Sequence, residues 1–201
     1  MSNEIERRSF VIDGLTIETR DDSKRIIRGH AAVFNQLSED LGGFHEQIMP
    51  GTFAEAIERD DVRALFNHDA NFVLGRTVSK TLRLSEDARG LAIEIDPPDT
   101  QTARDLLVSM ERGDITQMSF GFSVRPGGQD WAKDDDGRTI RTLKKVRLYD
   151  VSPVTYPAYP QTDVAVREMR SFLQGNAQAQ NMRVRMEKRL ALASRVLLRM
   201  A

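Results

Sequence analysis

The chain has 201 residues, with 29 Lys+Arg, 30 Asp+Glu, three histidines and no cysteine. That length suits one domain plus a tail. The absence of cysteine excludes a disulfide scaffold, a thiolate nucleophile, a Cys-ligated zinc and an iron–sulfur cluster, and the near-zero net charge argues against bulk nucleic-acid binding. In chain order, Ser9 to Ile12 is β-prone and stops at the turn signal Asp13-Gly14. Ile26 to Phe34 is a second apolar, β-branched stretch. Pro50-Gly51-Thr52 opens a helix over Phe53 to Arg59, with Thr52 as N-cap and Glu55 completing a capping box. Val62 to Phe66 alternates as a strand and runs into Asn67-His68-Asp69. Val73 to Leu84 alternates again, with Val78, Leu82 and Leu84 on one parity. Residues 86–90 turn the chain, and Leu91 to Ile95 continues as a strand to Pro97-Pro98.

Thr100 to Glu111 carries apolar Ala103, Leu106, Leu107 and Met110 at helical spacing, and Gly113 ends that helix. Gln117 to Val124 is a strand. A polar excursion follows, bounded by Pro126-Gly127-Gly128 and by Lys133 to Gly137. Thr139 to Ser152 is the last long strand region, broken by Pro153, Pro157 and Pro160. Val164 to Leu173 is helical, Gln174 to Asn181 is a linker by composition, and Met182 to Met200 is a basic amphipathic helix. Many short strands with few helices predict a mainly β fold with helices, a β-barrel or sandwich decorated by helices.

Charge is unevenly spread. Residues 167–201 hold eight basic and two acidic side chains, a net +6, which leaves 21 basic and 28 acidic residues, a net −7, in the remainder. A basic tail on an acidic body reads either as a contact segment or as a solvated helix face. No apolar run approaches the ~18 residues of a membrane span. The N-terminus has no apolar stretch of the kind a signal peptide needs, so the expected compartment is a reducing cytoplasm.

The strand Met118-Ser119-Phe120-Gly121-Phe122-Ser123 separates chemistry by parity. Met118, Phe120, Phe122 and Val124 form an apolar face, whereas Ser119, Gly121 and Ser123 form a face stripped of bulk, open to a substrate carbonyl. A plain strand with small outward residues is the competing reading. A serine nucleophile needs a base, and only His30, His45 and His68 are available. His68 stands at a strand end, where functional side chains cluster; a solvated turn is the alternative. His30 lies within an apolar strand and suits a structural role. His45-Glu46 fails as a zincin helix because Met49 stands where a second histidine is required. Asp150, in the β-prone run Leu148-Tyr149-Asp150-Val151-Ser152, is the acidic residue most in need of a reason, and an aspartate bonded to backbone at a strand end competes with a role in orienting a base. Asp69 is a poorer orienting group because it adjoins His68 in sequence. Gly127-Gly128 lacks the lysine of a phosphate loop, and Asp134 to Gly137 lacks the ligands of a calcium loop, so both read as turns.

The series His68-Asp69, Leu74-Gly75-Arg76, Gly90-Leu91, Gly113, Met118-Ser119-Phe120-Gly121-Phe122 and Asp150-Val151-Ser152-Pro153-Val154-Thr155-Tyr156-Pro157-Ala158-Tyr159-Pro160 resembles the prohead, or capsid maturation, serine proteases of tailed bacteriophages, in their HK97-like branch. The likeness extends over about residues 8 to 170. It implies an antiparallel β-barrel surrounded by helices, like the herpesvirus assemblins, over residues 1–166, followed by a basic helical tail at 167–201. It implies a serine endopeptidase with Ser119 as nucleophile and His68 as base, and it places Asp150 at the third position, with His30 and His45 as fallbacks. Arg76 and Arg125 are candidate supporting charges. No cofactor or metal is implied. The implied partners are the major capsid protein with its scaffold domain and the protease itself, through dimerisation and self-cleavage, with no nucleic acid and no membrane. The implied place of action is the host cytoplasm, inside the procapsid. A catalytically silent barrel serving as capsid scaffold is the alternative. An esterase is disfavoured because Gln117 replaces the first glycine of a nucleophile elbow.

Overall fold

The computed structural model describes residues 5–11, 15–19, 24–156 and 163–200, which fall in two compact units, Met1–Thr162 and Asp163–Ala201. In the first unit the strands are β1 (Glu6–Val11), β2 (Thr16–Thr19), β3 (Arg25–Val33), β4 (His45–Ile48), β5 (Arg63–Phe66), β6 (Asp69–Arg76), β7 (Leu82–Glu86), β8 (Gly90–Ile95), β9 (Gln117–Val124), β10 (Gln129–Lys133), β11 (Thr139–Leu143) and β12 (Val146–Val154). Two helices interrupt them, α1 (Ala54–Arg59) and α2 (Gln101–Glu111). The strands form three sheets, ordered β1-β9-β12-β5-β6, β10-β11-β4 and β2-β3-β8-β7. Pairing is antiparallel except for β11 with β4 and β12 with β5. The mainly β organisation with helices agrees with the alternation read from sequence. No sheet closes on itself among the described residues, yet strands of all three contribute to one apolar core.

The apolar face of β9 is the centre of that core. Met118, Phe120 and Phe122 are fully buried, with Phe53 edge-on to Phe120 at 5.4 Å between ring centres. Burial of each such side chain stabilises by about 1.5–3 kcal/mol. The stripe on α2 is buried as its spacing requires, through Ala103, Leu106, Leu107 and Met110. Thr100 caps this helix, its side chain accepting from the Ala103 N–H at 3.3 Å. Gly113, at φ +81°, follows its end.

Four local expectations are corrected. Thr52 does not cap α1. It is buried, and its hydroxyl lies 2.6 Å from the Met49 carbonyl and 2.9 Å from the Leu143 carbonyl, so the first turn is served by the Glu86 carboxylate, which accepts from the N–H groups of Gly51 and Phe53 at 2.9 and 2.7 Å. Residues 73–84 are not one strand: the chain turns at 77–81, with Lys80 at φ +61°, and Val78 sits 67% exposed on that turn. Thr139 to Ser152 is not one strand region: β11 closes the β10–β11 hairpin, whose turn at 134–137 is as expected, and Lys144 and Lys145 divide it from β12, both backbone N–H groups donating to the Gly128 carbonyl. A side chain at Gly128 would come within 2.1 Å of the Lys145 carbonyl oxygen. Pro153 lies inside β12, where pairing with β9 continues through Val154 while the ladder to β5 has ended by Val151; a strand with one partner tolerates a missing N–H. Ile12, Asp13-Gly14, Pro157 and Pro160 lie outside the described residues.

The second unit is one helix, α3 (Asp163–Met200). Residues 174–181 belong to it instead of forming a linker: their alanines and glutamines favour helix, and the lone Gly175 costs only about 1 kcal/mol. Among the described residues no helix is long and apolar enough to cross a membrane.

One buried polar cluster ties β1, β4 and β11 together. Arg141 is fully buried and reaches Glu6 at 2.6 Å and Glu46 at 3.0 Å. Arg8 reaches the same two carboxylates at 2.9 and 2.8 Å. The ring of two guanidinium and two carboxylate groups is charge-balanced, which is what allows ions to be buried. Burial alone would raise the Glu6 pKa, but Arg141 and Arg8 more than offset it and hold the carboxyl below its usual value.

Candidate active site

Ser119 projects from β9 on the face opposite the aromatic core. Its cross-strand neighbours are Ser9 on β1 and Ser152 on β12. The alternation therefore separates the two faces as the sequence indicated, but the small-residue face is not open: Ser119 and Gly121 are buried, and Ser123 is 8% exposed.

His68 comes from the hairpin joining β5 and β6. Phe66 pairs with Asp69, leaving a two-residue loop in which Asn67 and His68 have φ of +54° and +57°. Both central residues of a type I′ hairpin turn need positive φ, and Asn and His are among the non-glycine types that adopt it most readily. The turn is fastened to β12. The Asn67 N–H donates to the Pro153 carbonyl at 3.0 Å, its side-chain amide donates to Thr155 Oγ1 at 3.1 Å, and its Oδ1 accepts from the Thr155 N–H at 2.8 Å.

Asp150 owes its direction to a β-bulge. The β12–β9 register runs Leu148 to Phe122 and then Asp150 to Gly121, so Tyr149 is an extra residue. Before it, even-numbered Val146 and Leu148 face the core; after it, odd-numbered Val151 does. The bulge thus moves Asp150 and Ser152 to the face of Ser119. Gly121 leaves room for the carboxylate, since a Cβ there would lie 2.4 Å from Asp150 Oδ2.

These placements make a chain of contacts. His68 Nε2 lies 2.7 Å from Ser119 Oγ, and His68 Nδ1 lies 2.5 Å from Asp150 Oδ1. Ser152 Oγ donates to the same Oδ1 at 2.8 Å. When Asp150 accepts from His68 Nδ1–H, the tautomer this requires leaves Nε2 as acceptor for the Ser119 hydroxyl. A hydroxyl on a base that is itself oriented by a carboxylate can attack a carbonyl as a nucleophile.

The remaining candidates are engaged elsewhere. His30 Nε2 pairs with Asp87 at 2.8 Å, and His45 Nδ1 meets the Ser38 carbonyl at 2.9 Å. Asp69 accepts from the Asn71 N–H at 2.8 Å. Arg76 pairs with Asp61, and Arg125 with Asp60 and the Val146 carbonyl. Sequence reasoning missed Ser152, the Asn67–Thr155 clasp and the true use of Gly121. Only Ser152 left a usable signal, standing two residues from Asp150 and so on its face.

The family model described as Caudovirus prohead serine protease matches residues 14–175. The prohead protease of Enterobacteria phage HK97 is 32% identical over 155 residues, a match that takes in 73% of this chain and 62% of that protein's length. The structure of the bacteriophage T4 capsid assembly protease shares the fold at a TM-score of 0.50 and 10% identity, covering 75% of this chain and 97% of that one. The chain belongs to the caudovirus prohead serine protease family.

Proposed function

We propose that this family member is a serine endopeptidase that cleaves capsid and scaffold protein during prohead maturation, with Ser119 as nucleophile, His68 as general base and Asp150 as the group that orients it. The observation that carries the reading is the pair of contacts on one imidazole, 2.7 Å to Ser119 Oγ and 2.5 Å to Asp150 Oδ1. As Oγ attacks the scissile carbonyl, its proton passes to Nε2 and the imidazolium is stabilised by Asp150. The same proton then goes to the departing amine, leaving an acyl-enzyme that water hydrolyses by the reverse use of His68. A kinship of the fold with the herpesvirus assemblins is part of the same proposal. The eight basic residues after Val166 suit a tether to scaffold protein inside the procapsid in the host cytoplasm, and self-cleavage and dimerisation belong to the same proposal.

Co-expression with the cognate major capsid protein tests it. The wild-type chain is expected to shorten the capsid protein, and Ser119→Ala to leave it intact. Cleavage that persists in Ser119→Ala refutes the nucleophile. A wild-type chain that assembles with capsid protein but never cleaves it favours the silent scaffold.

A further inference from the structure

We propose that Ser152 is a positioning residue, the fourth member of the Ser119–His68–Asp150 chain, which fixes the Asp150 carboxylate so that His68 keeps its proton on Nδ1. This rests on the assignment of Ser119 and His68 given above. Three observations carry it. Ser152 is fully buried, and its hydroxyl donates at 2.8 Å to Asp150 Oδ1, the same oxygen that receives His68 Nδ1–H. Ser152 is also the direct cross-strand partner of Ser119, so one register fixes both serines. Finally, Asp150 Oδ2 has no freedom toward β9, because it fills the space beside Gly121. The carboxylate is bounded on one oxygen by packing and on the other by two donors. A buried carboxylate needs donors to stay ionised, and a rotation about its own bond would break the contact that selects the His68 tautomer. Ser152 supplies a donor that is neutral and held by the strand, so Asp150 gains an orienting bond without a competing positive charge.

Initial rates of capsid-protein cleavage by the full chain test this over a range of capsid-protein concentrations. Ser152→Ala removes one oxygen from a packed site and should melt within a few degrees of wild type. Its kcat should fall about ten- to a hundredfold, the range for losing a hydrogen bond to a charged group, with KM within about twofold. In an Asp150→Ala background, Ser152→Ala should cost nothing further, because it acts through that carboxylate. A wild-type kcat in Ser152→Ala overturns the proposal, as does a full, additive loss in the Asp150→Ala background. A Ser119→Ala chain that still cleaves is a different failure, since it overturns the nucleophile and this inference with it.

Discussion

Gly121→Ala tests the site by volume alone, since no polar group is added or removed. The new Cβ would stand 2.4 Å from Asp150 Oδ2 and 3.3 Å from its carboxyl carbon, where ordinary contact begins at 3.4 Å. The carboxylate must therefore retreat by about 1 Å, a distance for which well-packed atoms have no slack. Its other oxygen begins 2.5 Å from His68 Nδ1 and 2.8 Å from Ser152 Oγ. A 1 Å displacement stretches at least one of those beyond the ~3.2 Å limit of a hydrogen bond. Misplacement of that size costs about 10² in rate, or about 2.7 kcal/mol of barrier. The overpacking itself costs about 1–3 kcal/mol of stability. The assay is steady-state cleavage of capsid protein beside a thermal melt. The expected result is a folded enzyme with kcat down about a hundredfold and KM nearly unchanged. Gly175→Ala, at a position with nothing within 4 Å of the added carbon, should keep the wild-type rate. A Gly121→Ala enzyme with a native melt and kcat within about threefold of wild type would refute the packing argument.

Asn67→Gly keeps the positive φ the turn requires but removes both side-chain bonds to Thr155. It should fold, lose about tenfold in kcat through a loosened His68, and show faster amide exchange at residues 66–69. Stability should also fall in acid through Glu6. Its pKa is lowered on folding from a usual value of 4.5, so the unfolded chain binds protons more tightly there. The contribution is complete above about pH 4.5 and drains away as pH drops through the lower folded value. Melting curves from pH 3 to 7 should show Glu6→Gln less stable than wild type at pH 7 and losing less between pH 5 and 3; parallel curves would refute the linkage.

The sequence made Ser119 legible because a strict two-residue alternation with phenylalanines can be sorted by face without any partner strand. His68 was legible as a polar residue where a strand ends. Asp150 was conspicuous by its setting, but its direction was not legible: an unbroken alternation from Val146 would send it into the core, and only the extra residue Tyr149 turns it out. Bulges depend on the register of a neighbouring strand, which no local pattern records. Glu6, Arg8, Glu46 and Arg141 were equally hidden, for they read as surface charges until contacts 38 to 135 residues apart bury them. The α3 helix ran through residues 174–181 because polar composition alone marks a linker only when helix propensity is also poor, and there it is not.

The five-stranded sheet also ties the proposed catalytic groups to its central strand. In the order β9-β12-β5, the strand bearing Ser119 and the strand leading into His68 share no ladder except through β12, the last strand in sequence among the described residues. His68 meets a partner 51 residues later and another 82 residues later. The three groups proposed for catalysis thus come together only across long stretches of chain. The geometry proposed for catalysis is therefore complete only with β12 paired between β9 and β5, and a chain ending before residue 146 is expected to leave capsid protein uncut.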